Sequence, residues 1–251
     1  METTIEAGPV IVLVETQLAD NLGAVARAMA NFGLKDLRLV RPKVSPDDPT
    51  AIATAVGARS LLQNAKVFES LNAATKDLSH LFGTTACERE MIKKYYTPRE
   101  FASVASTQAL TSKVGIIFGP ERTGLSNENI TQCYGIIRIP VNPEFSSLNL
   151  GQALVIIAYE LFLLKDTTPP SFLHLGSTKP ATQEELAYFL SNLEQKLDST
   201  HFWRTASKKP VMWRNLRNIF TRMDLTQQET KTLNGMIDAL SARQQTRPKS
   251  L

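Results

Sequence analysis

The feature that most constrains this chain is a regular alternation of short apolar runs with helix-like stretches. Runs rich in apolar and β-branched residues predict strands at Val10–Val14, Leu37–Val40, Leu81–Thr85, Val114–Phe118 and Ile136–Ile139. Between and after them, helical spacing predicts helices over Leu22–Phe32, Pro98–Ser106, Asn127–Cys133 and Leu150–Leu164. Strands separated by helices make a mostly parallel sheet, because a parallel partner is reached only through a long crossover. The fold class predicted is therefore α/β, with helices covering both faces of the sheet. The first crossover is the clearest: Asp20 or Asn21 is placed to cap, Leu22, Val25, Met29 and Phe32 form the core side, and Gly33 sits at C′. That register leaves Arg27 a candidate for the open end of a site.

Composition changes near Lys165. Asp166-Thr167-Thr168-Pro169-Pro170-Ser171 reads as a linker, and helices are predicted beyond it at Glu184–Leu197, Val211–Met223 and Gln227–Leu240. Thr182 and Glu185 have capping-box spacing. The division expected is residues 1–165 as the catalytic domain, 166–180 as linker and 181–251 as a helical extension serving RNA binding or dimer support. Charge follows the same division. Residues 1–164 hold 15 Lys and Arg against 16 Asp and Glu, whereas 165–251 hold 13 against 8. The positive excess thus lies in the last third, which suits a polyanionic partner or a merely solvated basic surface.

Several function classes are disfavoured. Two cysteines are too few for a disulfide framework or a structural zinc site, and three histidines form no metal-spaced pair, so no metal is expected. No apolar run approaches the ~18 residues of a membrane span. The acidic start Met-Glu-Thr-Thr-Ile-Glu lacks the basic region of a signal peptide, and a cytoplasmic protein without membrane contact is expected. The segment Gly119–Leu125 has neither the Gly-Lys-Ser/Thr of a P-loop nor GxGxxG spacing, which argues against ATP and nicotinamide chemistry. Without a Gly-x-Ser-x-Gly elbow, Ser147 is no obvious hydrolase nucleophile.

Three segments stand out at successive strand-to-helix junctions: Asn21-Leu22-Gly23-Ala24-Val25-Ala26-Arg27, then Ile116 through Leu125, then Ile139-Pro140-Val141 with Ser146 through Ala153. Together and in this order they resemble motifs 1, 2 and 3 of the SPOUT methyltransferase superfamily. Within it they are similar to the tRNA 2′-O-ribose methyltransferases of the TrmJ type. The resemblance covers residues 8–165 and continues loosely into His201-Phe202-Trp203 and Met212 through Arg217. It implies a C-terminal trefoil knot in the sheet domain, a homodimer with each site near the interface, and S-adenosylmethionine as cofactor. The substrate implied is tRNA, methylated on a cytidine or uridine ribose of the anticodon loop (position 32 type). The nearest alternative is rRNA or another tRNA position, and a non-catalytic RNA-binding protein of the same fold is the alternative of a different class.

The resemblance also assigns roles. Arg27 leads as the catalytic residue, with Asn21 beside it. A guanidinium with pKa above ~12 is a poor proton acceptor, so Arg27 is better suited to a substrate phosphate and the forming 2′-oxyanion. Glu121 is expected in the active site orienting Asn21 or Arg27, or alternatively as a turn carboxylate capping the helix near Asn127. Ser147 and Asn149 match the motif 3 pair, and both also suit N-capping of the helix from Leu150. Cofactor contacts are implied at Thr84, Thr85, Ala86, Phe118, Gly119, Glu121, Gly124, Ile139, Ser147 and Leu148. Relatives often carry an arginine where this chain has Cys87, with Arg89 the nearest substitute, and this leaves one substrate contact open.

The tail is read from its residues. Positions 201–222 include Arg204, Lys208, Lys209, Arg214, Arg217 and Arg222 and no acid. At helical spacing Met212, Leu216, Ile219, Phe220 and Met223 share one face, with Arg214, Arg217 and Arg222 opposite. A basic ridge for the tRNA backbone is the preferred reading, and a dimerisation helix with a solvated outer face is its rival.

Overall fold

The computed structural model describes residues 8–86, 91–171, 174–200, 202–203 and 205–245. The chain divides into two compact units, Met1–Thr168 and Pro169–Leu251.

The first unit carries strands β1 (Val10–Val14), β2 (Leu37–Val40), β3 (Lys66–Phe68), β4 (His80–Thr84), β5 (Lys94–Tyr96), β6 (Val114–Phe118) and β7 (Gly135–Ile137). Its helices are α1 (Ala19–Asn31), α2 (Pro49–Ala55), α3 (Arg59–Gln63), α4 (Leu71–Thr75), α5 (Pro98–Ala109), α6 (Asn127–Thr131) and α7 (Leu150–Leu163). The strands form one sheet in the order β3-β2-β1-β6-β4-β7-β5, and every pairing is parallel. At its centre β1 and β6 are buried along their whole length, as a sheet covered on both faces requires. The period-2 alternation then divides the core. Ile11, Leu13, Ile116 and Phe118 pack with α1, α5 and α7, while Val10, Val12, Val14 and Ile117 pack with α4 and α6.

β3 and β5 escape the sequence reading. Each has three residues and lies at an edge of the sheet, and Lys66 and Val67 are exposed, so neither carries a continuous apolar run. The short helices α2, α3 and α4 are likewise too brief to show periodicity. Strand β7 ends at Ile137, leaving Ile139 in the loop beyond.

Helix α1 departs from expectation at its start. Neither Asp20 nor Asn21 caps it: Leu18 is the N-cap, with no side-chain cap. Asp20 instead accepts a hydrogen bond from Thr54 Oγ1 at 2.9 Å, and Asn21 is drawn inward. At the other end Gly33 takes the C′ position with φ of +71°, as predicted. Gly23 is needed for a different reason, since a Cβ there would come within 2.3 Å of the Ala51 carbonyl oxygen of α2.

The second unit is a set of three helices: α8 (Gln183–Ser199), α9 (Lys209–Thr221) and α10 (Gln227–Gln245). Thr182 and Glu185 close the predicted capping box on α8. Glu229 accepts from the Thr226 amide and hydroxyl, both at 2.7 Å, at the start of α10. Only Phe189, Leu190 and Leu225 are buried apolar residues among those described in this unit, and α9 has none. No helix of the described residues is long and apolar enough to cross a membrane.

Candidate active site

In an open parallel sheet, ligands bind beyond the carboxyl ends of the strands, where crossovers depart in opposite directions. Here β1 sends its chain through α1 to β2, whereas β6, on its other flank, sends its chain through α6 to β7. The loops after β1, β6, β4 and β7 therefore meet along one edge. With the element ends beside them they carry Asn21 in the first turn of α1, then Phe118 to Gly124, then Thr84 to Ala86, then Ile139 to Asn149. Among the described residues, every sheet-domain position assigned a site role from sequence except Arg27 lies in or beside these loops.

Three of those residues are bonded to one another. Asn149 Nδ2 donates to Asn21 Oδ1 at 2.7 Å, and Asn21 Nδ2 donates to Glu121 Oε1 at 3.0 Å. The partners fix the orientation of the Asn21 amide, since a carboxylate only accepts. Glu121 also accepts from the backbone amides of Gln17 (3.1 Å) and Leu18 (3.3 Å). A loop about a hundred positions away in sequence thus holds the two backbone amides that lead into α1, the second of them the N-cap amide. A carboxylate at this end also suits the helix dipole. Ser126, and not Glu121, caps α6. Asn149 N-caps α7 through its Oδ1, in a capping box with Gln152, while its Nδ2 reaches Asn21. The amides of Gln17 and Leu18 were not foreseen from sequence, because nothing local marks a backbone donor as the partner of a distant carboxylate.

Arg27 stands on α1 beyond this network. Its side chain is exposed and forms no hydrogen bond or ion pair among the described residues. It lines an open cleft of about 620 Å³ together with Ala24, Ala28, Leu148, Asn149 and Val155. Arg27 and Asn149 therefore share a cleft, while Asn21 and Glu121 lie behind it. Ser147 is exposed in the loop leading to α7.

The positions implied for cofactor contact divide by what the fold already asks of them. Phe118 is buried in the core, so only its backbone faces the loops. Thr84 donates its hydroxyl to the Ile117 carbonyl at 3.1 Å. Gly119 makes room for the chain itself, because a Cβ there would lie 2.3 Å from Leu125 N, and Gly124 turns at φ of +64°. Ile139 and Leu148 are half-buried apolar residues in irregular backbone, Thr85 is half-buried and Ala86 is exposed. Cys87 and Arg89 lie outside the described residues.

The family model of the SpoU rRNA Methylase family matches residues 8–159. The chain belongs to that family. A curated relative from Pectobacterium atrosepticum, a tRNA (cytidine/uridine-2′-O-)-methyltransferase TrmJ, is 39% identical over 92% of this chain and 95% of its own length. A TrmJ from Cronobacter sakazakii is 38% identical over 95% and 98%. Among solved structures, TrmJ from Z. mobilis ZM4 is similar with a TM-score of 0.82 and 40% identity, covering 94% of this chain and all of that one.

This SpoU family member has a second match, the C-terminal domain of tRNA methyltransferase TrmJ, over residues 184–250. Within that stretch the basic residues differ in freedom. Arg214, Arg217 and Arg222 are exposed and form no ion pair among the described residues, and Lys208 is exposed. Lys209 is held by Asp198 at 2.8 Å and Glu194 at 3.1 Å and sits over the Trp203 ring, so it belongs to a structural cluster. Those two carboxylates raise its pKa above the ordinary lysine value. Arg204 lies outside the described residues. The apolar face of α9 is only half covered: Met212, Leu216 and Phe220 are half-buried, whereas Ile219 and Met223 remain exposed.

Proposed function

We propose that this chain is an S-adenosylmethionine-dependent methyltransferase acting on a ribose 2′-hydroxyl of tRNA, on cytidine or uridine in the anticodon loop. The observation that carries the reading is the hydrogen-bonded series Asn149–Asn21–Glu121, which joins the three sequence segments in one place. The family, and the activity of its TrmJ relatives, support the reaction and the substrate.

The loops after β4, β6 and β7 suit the cofactor by their chemistry. Half-buried Ile139 and Leu148 offer an apolar wall for an adenine, and the irregular backbone of 84–86, 118–124 and 139–148 offers polar groups outside the strand ladder. Ser147, exposed beside them, has a hydroxyl that both donates and accepts. When bound, S-adenosylmethionine supplies an electrophilic methyl group. The protein's part is position and electrostatics. Arg27, free of carboxylate partners among the described residues, binds a substrate phosphate and stabilises negative charge developing on the 2′-oxygen. Glu121 and Asn149 act as positioning residues that hold Asn21 in one orientation. The C-terminal trefoil knot belongs to this reading, with β7 set between β4 and β5 and its following segment returning to α1 at Asn149.

The homodimer belongs to it as well. Val155, Tyr159, Phe162 and Leu163 form an exposed apolar stripe on α7, at spacing that keeps them on one helical face. The stripe adjoins the Arg27 cleft, so a second copy seated there closes the site from outside. Sedimentation at assay concentration is expected to show a dimer, and an active monomer would refute this part. The reaction is tested by mass-spectrometric mapping of ribose methylation in tRNA and rRNA from a strain lacking the protein. Loss of a 2′-O-methyl pyrimidine from tRNA supports the reading. Loss from rRNA alone moves the substrate to rRNA, which the family's own description also names.

A further inference from the structure

Two residues with side chains stand in the left-handed backbone region at the carboxyl ends of neighbouring strands. Glu15 follows β1 with φ of +50°, and Arg41 follows β2 with φ of +44°. The Arg41 Nη2 is 2.8 Å from Glu15 Oε1. Left-handed backbone is costly for residues other than glycine, and where it persists the surrounding structure must hold it. Here the Glu15 amide donates to Val40 O at 2.8 Å and the Arg41 amide to Phe68 O at 2.9 Å. Arg41 is thereby turned out at the rim, 56% exposed, with its Nε and Nη1 unused in any bond among the described residues.

Beside it opens a polar pocket of about 190 Å³, lined by Ser70, Asn72, Glu128, Asn129 and Gln132. It lies on the α4 and α6 side of the sheet and shares no lining residue with the Arg27 cleft. Its three side-chain amides have no hydrogen-bond partner among the described residues. An amide both donates and accepts, and Glu128 adds an acceptor, so the lining complements the edge of a nucleobase. A guanidinium at the rim complements a phosphate. The backbone also ties this corner to the catalytic loop, since the Lys43 amide donates to Thr16 O at 2.9 Å, five residues before Asn21.

We propose that Arg41 and this pocket form a subsite for one nucleotide of the RNA flanking the methylated residue, with its phosphate on Arg41 and its base among Asn72, Asn129 and Gln132. Single-stranded RNA loops are read in this manner, by splayed bases whose edges meet side chains. The pair with Glu15 fixes the guanidinium in advance, so little side-chain freedom is lost when the phosphate arrives. The inference rests on the RNA methyltransferase reading above.

The test uses the full chain, S-adenosylmethionine and unmodified tRNA transcripts. Two variants are compared with wild type: Arg41→Gly, and Asn129→Ala combined with Gln132→Ala. Glycine at φ of +44° removes backbone strain, so the first variant should melt no lower than wild type. Its KM for tRNA should rise about tenfold, as loss of one charge-assisted contact implies. The slope of log affinity against log salt should fall by about 0.7. The amide variant should raise KM with the salt slope unchanged, because it removes no cation. Wild-type KM and slope in both variants would overturn the subsite, as would a KM rise that merely tracks a lower melting temperature. Wild type is assayed first: no transfer to any tRNA defeats the parent reading, whereas transfer with unaltered variants defeats this inference alone.

Discussion

The two units solve different problems with the same kind of helix. In the first, α1 buries Leu22, Val25 and Met29 against a parallel sheet and is gripped at its start by Glu121. In the second, α9 buries no residue completely and displays Arg214, Arg217 and Arg222. One helix is part of a buried core that holds a site in place through packing and hydrogen bonds. The other is a surface that carries charge. Chemistry needs the first arrangement, because oxyanion and phosphate contacts act only when they are already in place. Holding a polyanion needs only the second, because counterion release is insensitive to exact geometry.

The largest expected effect lies at the site. Arg27→Ala should lose about 10²–10³ in methyl transfer, with cofactor affinity and melting temperature unchanged, since Arg27 is exposed and unpaired. Arg27→Lys should also be poor, because a point charge does not replace a planar fork. Near-wild-type turnover in Arg27→Ala, read by transfer of labelled methyl groups, would remove it from the reaction.

Next in size is a test of the cores. Phe82 is fully buried, with ring contacts to Tyr96, Phe101 and Tyr134, and Phe82→Ala should destabilise by about 3–5 kcal/mol. Phe189 is equally buried, but its ring partner Phe220 is only half-buried. The hole left by Phe189→Ala can collapse or hydrate, and its cost should be nearer 2–3 kcal/mol. Equal losses in urea denaturation would show the second core to be as well packed as the first.

The fold is most legible in the sequence where one element satisfies its own needs. The buried alternation of β1 and β6, the apolar face of α1 and the capping box of α8 are all local patterns, and each is present. Legibility stops where a residue's partner lies far along the chain. Asn21 reads as a helix cap because Asn often is one, yet its amide serves Asn149 and Glu121, 128 and 100 positions away. Glu121 was expected to orient Asn21 or Arg27, or to cap the next helix. It contacts Asn21 and the two backbone amides leading into α1, which only the folded chain reveals. The facing of α9 was legible from spacing, but how much of its apolar side is covered was not. Lys209 read as one cation of a basic run, and the carboxylates that occupy it come from α8.

A smaller effect is expected on the ridge. Replacing Arg214, Arg217 and Arg222 with Gln should weaken all tRNAs alike and lower the log–log salt slope by roughly 2 to 3 in total. Melting temperature should hold, because none of the three forms an ion pair among the described residues. An unchanged slope would show a merely solvated face, and a large drop in melting temperature would point to an interface there.

The smallest effect concerns acid. Asp77 accepts hydrogen bonds from buried Arg38, which hold its carboxyl well below the usual carboxylate range. A carboxylate depressed on folding adds stability above the unfolded value near ~4 and loses it as pH falls further. Asp77→Asn should therefore flatten the decline in melting temperature between about pH 5 and pH 2 while lowering stability at pH 7. Parallel acid limbs in the two proteins would mean that Asp77 is not the group responsible.

The central claim is that a rigid network of Asn21, Glu121 and Asn149 serves 2′-O-methylation of tRNA. Its most direct test incubates the purified full chain with labelled S-adenosylmethionine and unmodified tRNA, then digests the product to nucleosides. The account predicts label in 2′-O-methylcytidine or 2′-O-methyluridine, lost in Arg27→Ala and sharply reduced in Asn21→Ala. Label on a base, or equal transfer by all three proteins, would contradict it.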